Sequence, residues 1–169
     1  MKYIWKHFKT ITKHKWYVFK ECKSCGILWQ GIIHDLSKYS PAEFIPSAKY
    51  FQGDRSPIEA EKEDFGYSLA WQHHKGHNKH HWEYWIDFDD NGNIIANKIP
   101  DKYVLEMVCD WIGAGKVYST HWSRHSPLFY YKKTKNNRHL HPDTEKFLVQ
   151  LLEIIDKFGL KVFYRIVRK

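Results

Sequence analysis

Five of the six prolines in this chain fall at the start of apolar-periodic stretches, Pro46 being the exception, and that placement restricts the chain to helices of limited length. Ser40-Pro41 reads as an N-cap followed by proline at the first helical position, with Glu43 at capping-box spacing. Ser56-Pro57 repeats the pattern with Glu59 in the first turn, and Pro127 and Pro142 open two further stretches. A proline in a helix interior would remove a hydrogen bond and clash with the preceding turn, so each of these marks a start. The apolar spacing between them predicts helices over 3–24, 27–36, 41–51, 57–75, 100–119, 127–133 and 142–158. The first carries a stripe of Ile4, Phe8, Ile11, Val18, Cys22 and Cys25, with His7 and His14 on the same side. Gly26, Gly76 and Gly159 are the expected stops. Asp90-Asn91-Gly92-Asn93 is a strong turn signal between two apolar runs, which predicts a small β-hairpin over 82–99. The expectation is a mainly α bundle with one inserted hairpin, formed by a single domain over 1–169.

Twelve histidines in 169 residues exceed ordinary usage, and five of them (His73, His74, His77, His80 and His81) fall within nine positions. Imidazole and carboxylate are the usual ligands of zinc, iron, manganese and similar ions. His34-Asp35 closes the apolar run Gly31-Ile32-Ile33, and a charged Asp there is costly to bury unless paired. Asp110 lies within Met107-Val108-Cys109-Asp110-Trp111-Ile112, mid-helix, where it is either satisfied inside by a cation or placed on an edge with Glu106 and Lys116. The five-histidine stretch reads either as a ligand set or as a solvated basic turn. Adjacent residues on a helix point about 100° apart, so one of each histidine pair should reach a given ion. His73 or His74 could supply one ligand and His80 or His81 the other, and the choice taken is His74 and His81. Cys22 and Cys25 form a CxxC without a second pair, which favours buried reduced cysteines over a metal knuckle.

The order His14, His34-Asp35, Asp110 resembles the HD-domain superfamily of metal-dependent phosphohydrolases. In that family an early helix gives a His, the next an HD pair, and a later one an Asp. His34-Asp35-Leu36-Ser37-Lys38 is similar to its HDxxK variant, whose lysine meets the substrate phosphate. The extra histidines look like those of its two-metal branches. The stretch HHKGHNKHHWEYW also resembles a small uncharacterised family of bacterial and phage proteins. The first resemblance implies an HD-like helical bundle holding one or two divalent ions (Mn, Zn, Ni, Co or Fe) on His14, His34, Asp35, His74, His81 and Asp110. It implies hydrolysis of a nucleotide-type phosphomonoester or phosphodiester by metal-activated water. Asp35, Lys38 and His77 would be the catalytic groups, and Lys38, Lys116 and Arg124 would hold the phosphate. The longer motif of cyclic dinucleotide phosphodiesterases is missing.

A net charge of +8 suits an anionic partner, whether a phosphorylated small molecule, a nucleotide or nucleic acid. The same charge, with aromatics at 17%, leaves open a non-catalytic nucleotide- or nucleic-acid-binding protein, and the histidines leave open a di-iron oxygenase on the same fold. Trp82, Tyr84 and Trp85 could stack on a base or form hairpin core. The tail LKVFYRIVRK could touch a membrane or nucleic acid, although packing on the bundle is favoured. No apolar stretch is long enough to span a bilayer, no secretory signal is evident and no disulfide framework exists, so a cytoplasmic setting is expected.

Overall fold

A computed structural model describes residues 2–53, 55–118 and 126–168. Among them are eight α-helices and one two-stranded antiparallel hairpin. The helices are α1 (Lys2–Ser24), α2 (Leu28–Ile33), α3 (Pro41–Lys49), α4 (Pro57–Phe65), α5 (Leu69–His77), α6 (Asp101–Tyr118), α7 (Pro127–Thr134) and α8 (Pro142–Val167). The strands are β1 (Ile86–Phe88) and β2 (Ile94–Ala96), with Ile86 opposite Ala96 and Phe88 opposite Ile94.

The prolines open α3, α4, α7 and α8 as expected. Ser126 also caps α7 by accepting from the Phe129 amide. Ser40 and Ser56 make no such side-chain bond, so there the proline, not the cap, marks the start.

Four expectations change. The helix over 57–75 is two helices, because Gly66 takes a left-handed conformation (φ 78°) and Ser68 re-caps the chain by accepting from the Trp71 amide. The second helix stops at Ile33, before His34-Asp35 rather than after it. The hairpin is shorter than 82–99: Trp82–Trp85 forms a 3-10 turn, and pairing covers three residues on each side. Its turn is closed by Asp89, whose Oδ1 accepts from the amides of Asn91 and Asn93. Gly159 (φ 76°) breaks α8 without ending it. The chain resumes as helix and buries Phe163 in the core, so the basic tail packs on the bundle.

The core joins the inner faces of α1, α6 and α8, through Val18, Val104, Val108, Ile112, Leu148 and Leu152. Ile4 and Phe8 of the expected α1 stripe lie outside it, exposed. Two glycines set how closely α1 is approached. A Cβ on Gly113 of α6 would lie 2.5 Å from Val18 Cγ2, and one on Gly31 of α2 would lie 2.8 Å from Cys22 Cβ. Only a residue without a side chain lets α2 and α6 sit this near α1. That proximity brings His14, His34 and Asp110 together.

Candidate metal centre

Seven ligand-type side chains converge from α1, the end of α2, α5, the turn after α5, and α6. His14 stands on the buried stripe of α1, and Asp110 lies one turn beyond Glu106 on α6. After α2 the chain turns sharply. His34 leaves the helical conformation (φ −48°, ψ 126°), and Asp35 adopts a left-handed conformation (φ 53°), unique among the described non-glycine residues. Asp tolerates this region better than most residues, but it is still uncommon. The turn drives the Asp35 carboxylate inward and starts the 3-10 turn Leu36–Tyr39 that carries Lys38.

Asp35 is fully buried, and its two oxygens face different partners. Oδ2 lies 3.3 Å from His34 Nε2 and 3.7 Å from His14 Nε2, and Oδ1 lies 3.3 Å from His74 Nε2 and 3.5 Å from His80 Nε2. Asp110 Oδ1 completes the first side, 2.9 Å from His14 Nε2 and 3.5 Å from His34 Nε2. His81 completes the second, with its Nε2 2.9 Å from His74 Nε2. Two groups that share Asp35 result, His14–His34–Asp35–Asp110 and Asp35–His74–His80–His81, with a third, His34–His80–Glu106, between them, and within each the ligand atoms all lie within 4.8 Å of one another. Such a spread fits one ion at ordinary bond lengths of about 2.0–2.2 Å.

Hydrogen bonding supports this reading. Asp35 Oδ1 and the Nε2 atoms of His14, His34 and His80 are buried without a hydrogen-bond partner, and Asp35 Oδ2 meets the Lys38 ammonium at 2.6 Å. Buried polar atoms left in this state cost free energy, on the order of 1–3 kcal/mol each, and a cation at their centre would satisfy them together. The outer ring nitrogens are engaged instead. His34 Nδ1 and His80 Nδ1 donate to one oxygen of Glu106, at 3.0 and 3.1 Å, and His74 Nδ1 donates to Glu43 at 2.7 Å. A carboxylate behind the ring fixes the tautomer and leaves the Nε2 lone pair pointing inward, as on metal-ligating histidines.

Both outer carboxylates depart from the sequence reading. Glu106 is buried and does not mark a solvated edge, and Glu43 turns to His73 and His74 instead of closing a capping box. The second histidine pair departs too. His80 and His81 both enter one group, because they lie on a non-helical turn where the 100° rule does not apply. Asn78 builds that turn, its amide donating to His74 O and Ser37 Oγ. Of the first pair, His74 enters and His73 stays at the rim on Glu43.

The electrostatics suit a cation. Burial pushes His14, His74 and His81 below the ordinary histidine range, leaving neutral rings with free lone pairs. Burial also opposes charge on Asp35, but His34, Lys38 and His74 hold its carboxyl well below the usual range. His14 and His34 do the same for Asp110. Against its own burial, His34 is raised well above the usual value by Asp35, Asp110 and Glu106. Glu43 and Glu106 are lowered as well, mainly by His74 and by His34 with His80. Four ionised carboxylates thus sit in one buried cluster.

Other expected site residues lie elsewhere. His77 is exposed, stacked on His73 at 3.9 Å with its Nδ1 on the His73 carbonyl, because the helix carries it away from His74. Lys116 lies nearly two turns beyond Asp110 and is held by Glu21 at 2.6 Å. Arg124 lies outside the described residues. Lys38 does reach the cluster, 2.6 Å from Asp35 Oδ2, but it lines a small separate cavity of about 70 Å³. Trp85 is hairpin packing, against Tyr103, whereas Trp82 borders the main cleft. The cysteines are free and buried, Cys109 Sγ lies 3.6 Å from Cys25 Sγ, and none joins a ligand group among the described residues.

That cleft, about 630 Å³, reaches the centre at His80, His81 and Asp110. Trp71, Trp111 and Tyr130 form part of its wall, and Arg138 and Lys133 bring positive charge. The Arg138 guanidinium stacks 4.4 Å from the Trp111 ring centre and donates to Thr134 Oγ1. Asp110 is less buried than Asp35, so access to the cluster is from its side.

Residues 3–154 match the model of a family of unknown function, DUF5662, a span that contains every ligand and both outer carboxylates. No curated protein and no solved structure matches the chain. The chain belongs to the DUF5662 family.

Proposed function

We propose that this protein is a metal-dependent phosphohydrolase that cleaves a phosphomonoester or phosphodiester of a nucleotide-type substrate at a centre shared by two divalent ions. The observation that carries the reading is Asp35, whose two buried oxygens face separate histidine groups. A single carboxylate so placed supports paired ions, and the order His14, His34-Asp35, Asp110 agrees with an HD-type assignment. Ions of this class lower the pKa of water toward neutrality and offset the charge on phosphoryl oxygens.

The chain supplies everything around them. Glu106 and Glu43 hold the rings of His34, His80 and His74 in register. Lys38 offsets the charge of Asp35 from the side of the smaller cavity. In the cleft, Arg138 and Lys133 are placed for the anionic part of the substrate, and Trp71 and Trp111 offer flat apolar surface to the rest. The phosphate-holding role expected of Lys116 passes to these two residues.

The test is hydrolysis of a phosphoester panel after reconstitution with Mn, Zn, Ni, Co or Fe. Asp110→Ala is expected to lose activity together with the ion of the His14–His34–Asp35–Asp110 group, and retention of both would refute the assignment. The donor set also accepts iron, so the second reading is a di-iron oxygenase. Oxygen uptake with iron, with no phosphoester cleaved, would select it.

A further inference from the structure

The α1–α2 surface has a composition that neither the core nor the metal centre explains. Trp5, Trp16 and Trp29 are 64%, 57% and 65% exposed, and Ile32, Ile33 and Leu36 are exposed beside them. At about 100° per residue, Trp5, Phe8, Thr12, Trp16 and Phe19 share one strip of α1, next to the buried stripe. The adjoining strip carries Lys6, Lys9, Lys13 and Lys20. The two helices form one patch. Lys15 Nζ donates to the carbonyls of Ile32 and His34, Trp16 stacks on Phe19, and Lys20 lies 5.3 Å from the Trp16 ring centre. None of the patch residues lines the cleft.

Its charge selects the occupant. Residues 1–34 hold seven lysines and one acid, Glu21, which is buried against Lys116 and Tyr164. The outward face is therefore cationic with no acidic counterpart. A second copy on the same face would set lysines against lysines, which argues against self-association. Nucleic acid would use the lysines and the indole rings but has no need of Ile32, Ile33 and Leu36. Indole rings, aliphatic side chains and flanking lysines together suit the boundary between lipid headgroups and acyl chains. No helix among the described residues is long and apolar enough to cross a membrane, so contact would be peripheral.

We propose that the α1–α2 face docks on an anionic phospholipid bilayer, with Trp5, Trp16 and Trp29 entering the headgroup region and the α1 lysines meeting lipid phosphates. The proposal is independent of the hydrolase reading. The experiment is co-sedimentation of the full chain with equimolar phosphatidylglycerol/phosphatidylcholine vesicles and with pure phosphatidylcholine vesicles. Binding is expected to the first and to be at least about tenfold weaker to the second, because each lysine near an anionic surface contributes appreciably. Trp16→Ser with Trp29→Ser, and separately Lys9→Gln with Lys13→Gln and Lys20→Gln, should each weaken binding about tenfold or more. Unchanged circular dichroism and metal content would show these exposed changes to be local. No binding to the anionic vesicles at low salt overturns the proposal, as does binding that both variants leave unchanged. A dimer in sedimentation equilibrium that the tryptophan variant dissociates, or tighter binding to a single-stranded oligonucleotide than to vesicles, would also overturn it.

Discussion

The two halves of the candidate metal centre are built by opposite means. His14, His34 and Asp110 come from the α1–α2–α6 contact, where Gly31 and Gly113 leave no room for a side chain. Their positions follow from helix packing and can change only if the core does. His74, His80 and His81 come from the end of α5 and an irregular turn, held by Asn78, Ser37 and Glu43. Hydrogen bonds, not a packed core, position that half. Asp35 belongs to both, and Glu106 ties them together through His34 and His80. The contrast teaches that one side should tolerate surgery that the other does not.

The largest separation should come from His80→Ala with His81→Ala. The turn-side ion is expected to be lost while the helix-side ion stays, so elemental mass spectrometry should read half the wild-type metal. Loss of both ions would make the halves one site. Next is Glu106→Gln, which should weaken metal binding about 10–100-fold on both sides, whereas Glu43→Gln should weaken only the turn side. Metal titration by calorimetry separates the two patterns. Gly113→Ala should destabilise the fold by about 1–3 kcal/mol through overpacking against Val18, visible as a lower Tm in the metal-free protein.

The smallest effect is that of pH on the metal-free protein. The lowered values of His14, His74 and His81 mean that folding opposes their protonation, so their contribution is present above about pH 6.5 and is lost as pH falls below it. His34 is raised, so its contribution runs the other way and fades as pH rises through its folded value. With His7, which burial pushes down to about 4, four groups against one predict a Tm that declines from neutral pH toward pH 5. A flat profile would contradict the burial assigned to these rings.

The helices were legible because proline, serine and glycine act locally. The starts at Pro41, Pro57, Pro127 and Pro142 agree with the structure, and Gly26 ends α1 in a left-handed turn (φ 81°). The break at Gly66 was missed because the apolar spacing runs on across it, and only the left-handed glycine with Ser68 behind it signals the restart. His14, His34, Asp35 and Asp110 could be named because each stands out against an apolar setting. Glu43 and Glu106 could not, since their roles depend on contacts across 31 and 72 positions of chain, and His80 stood only as the alternative to His81 because its role depends on a turn. The spacing of Glu106 and Asp110, one helical turn apart, was the available signal for one of them. His77 and Lys116 were assigned from proximity in sequence, which helix geometry then separated from the centre.

The central claim is that Asp35 joins two ion sites, and the most direct test is metal stoichiometry in purified wild type and Asp35→Ala. Two equivalents in the wild type and none in the variant are predicted, because both groups lose their shared ligand. No metal in the wild type after reconstitution with excess divalent ions, or two equivalents retained by Asp35→Ala, would contradict it.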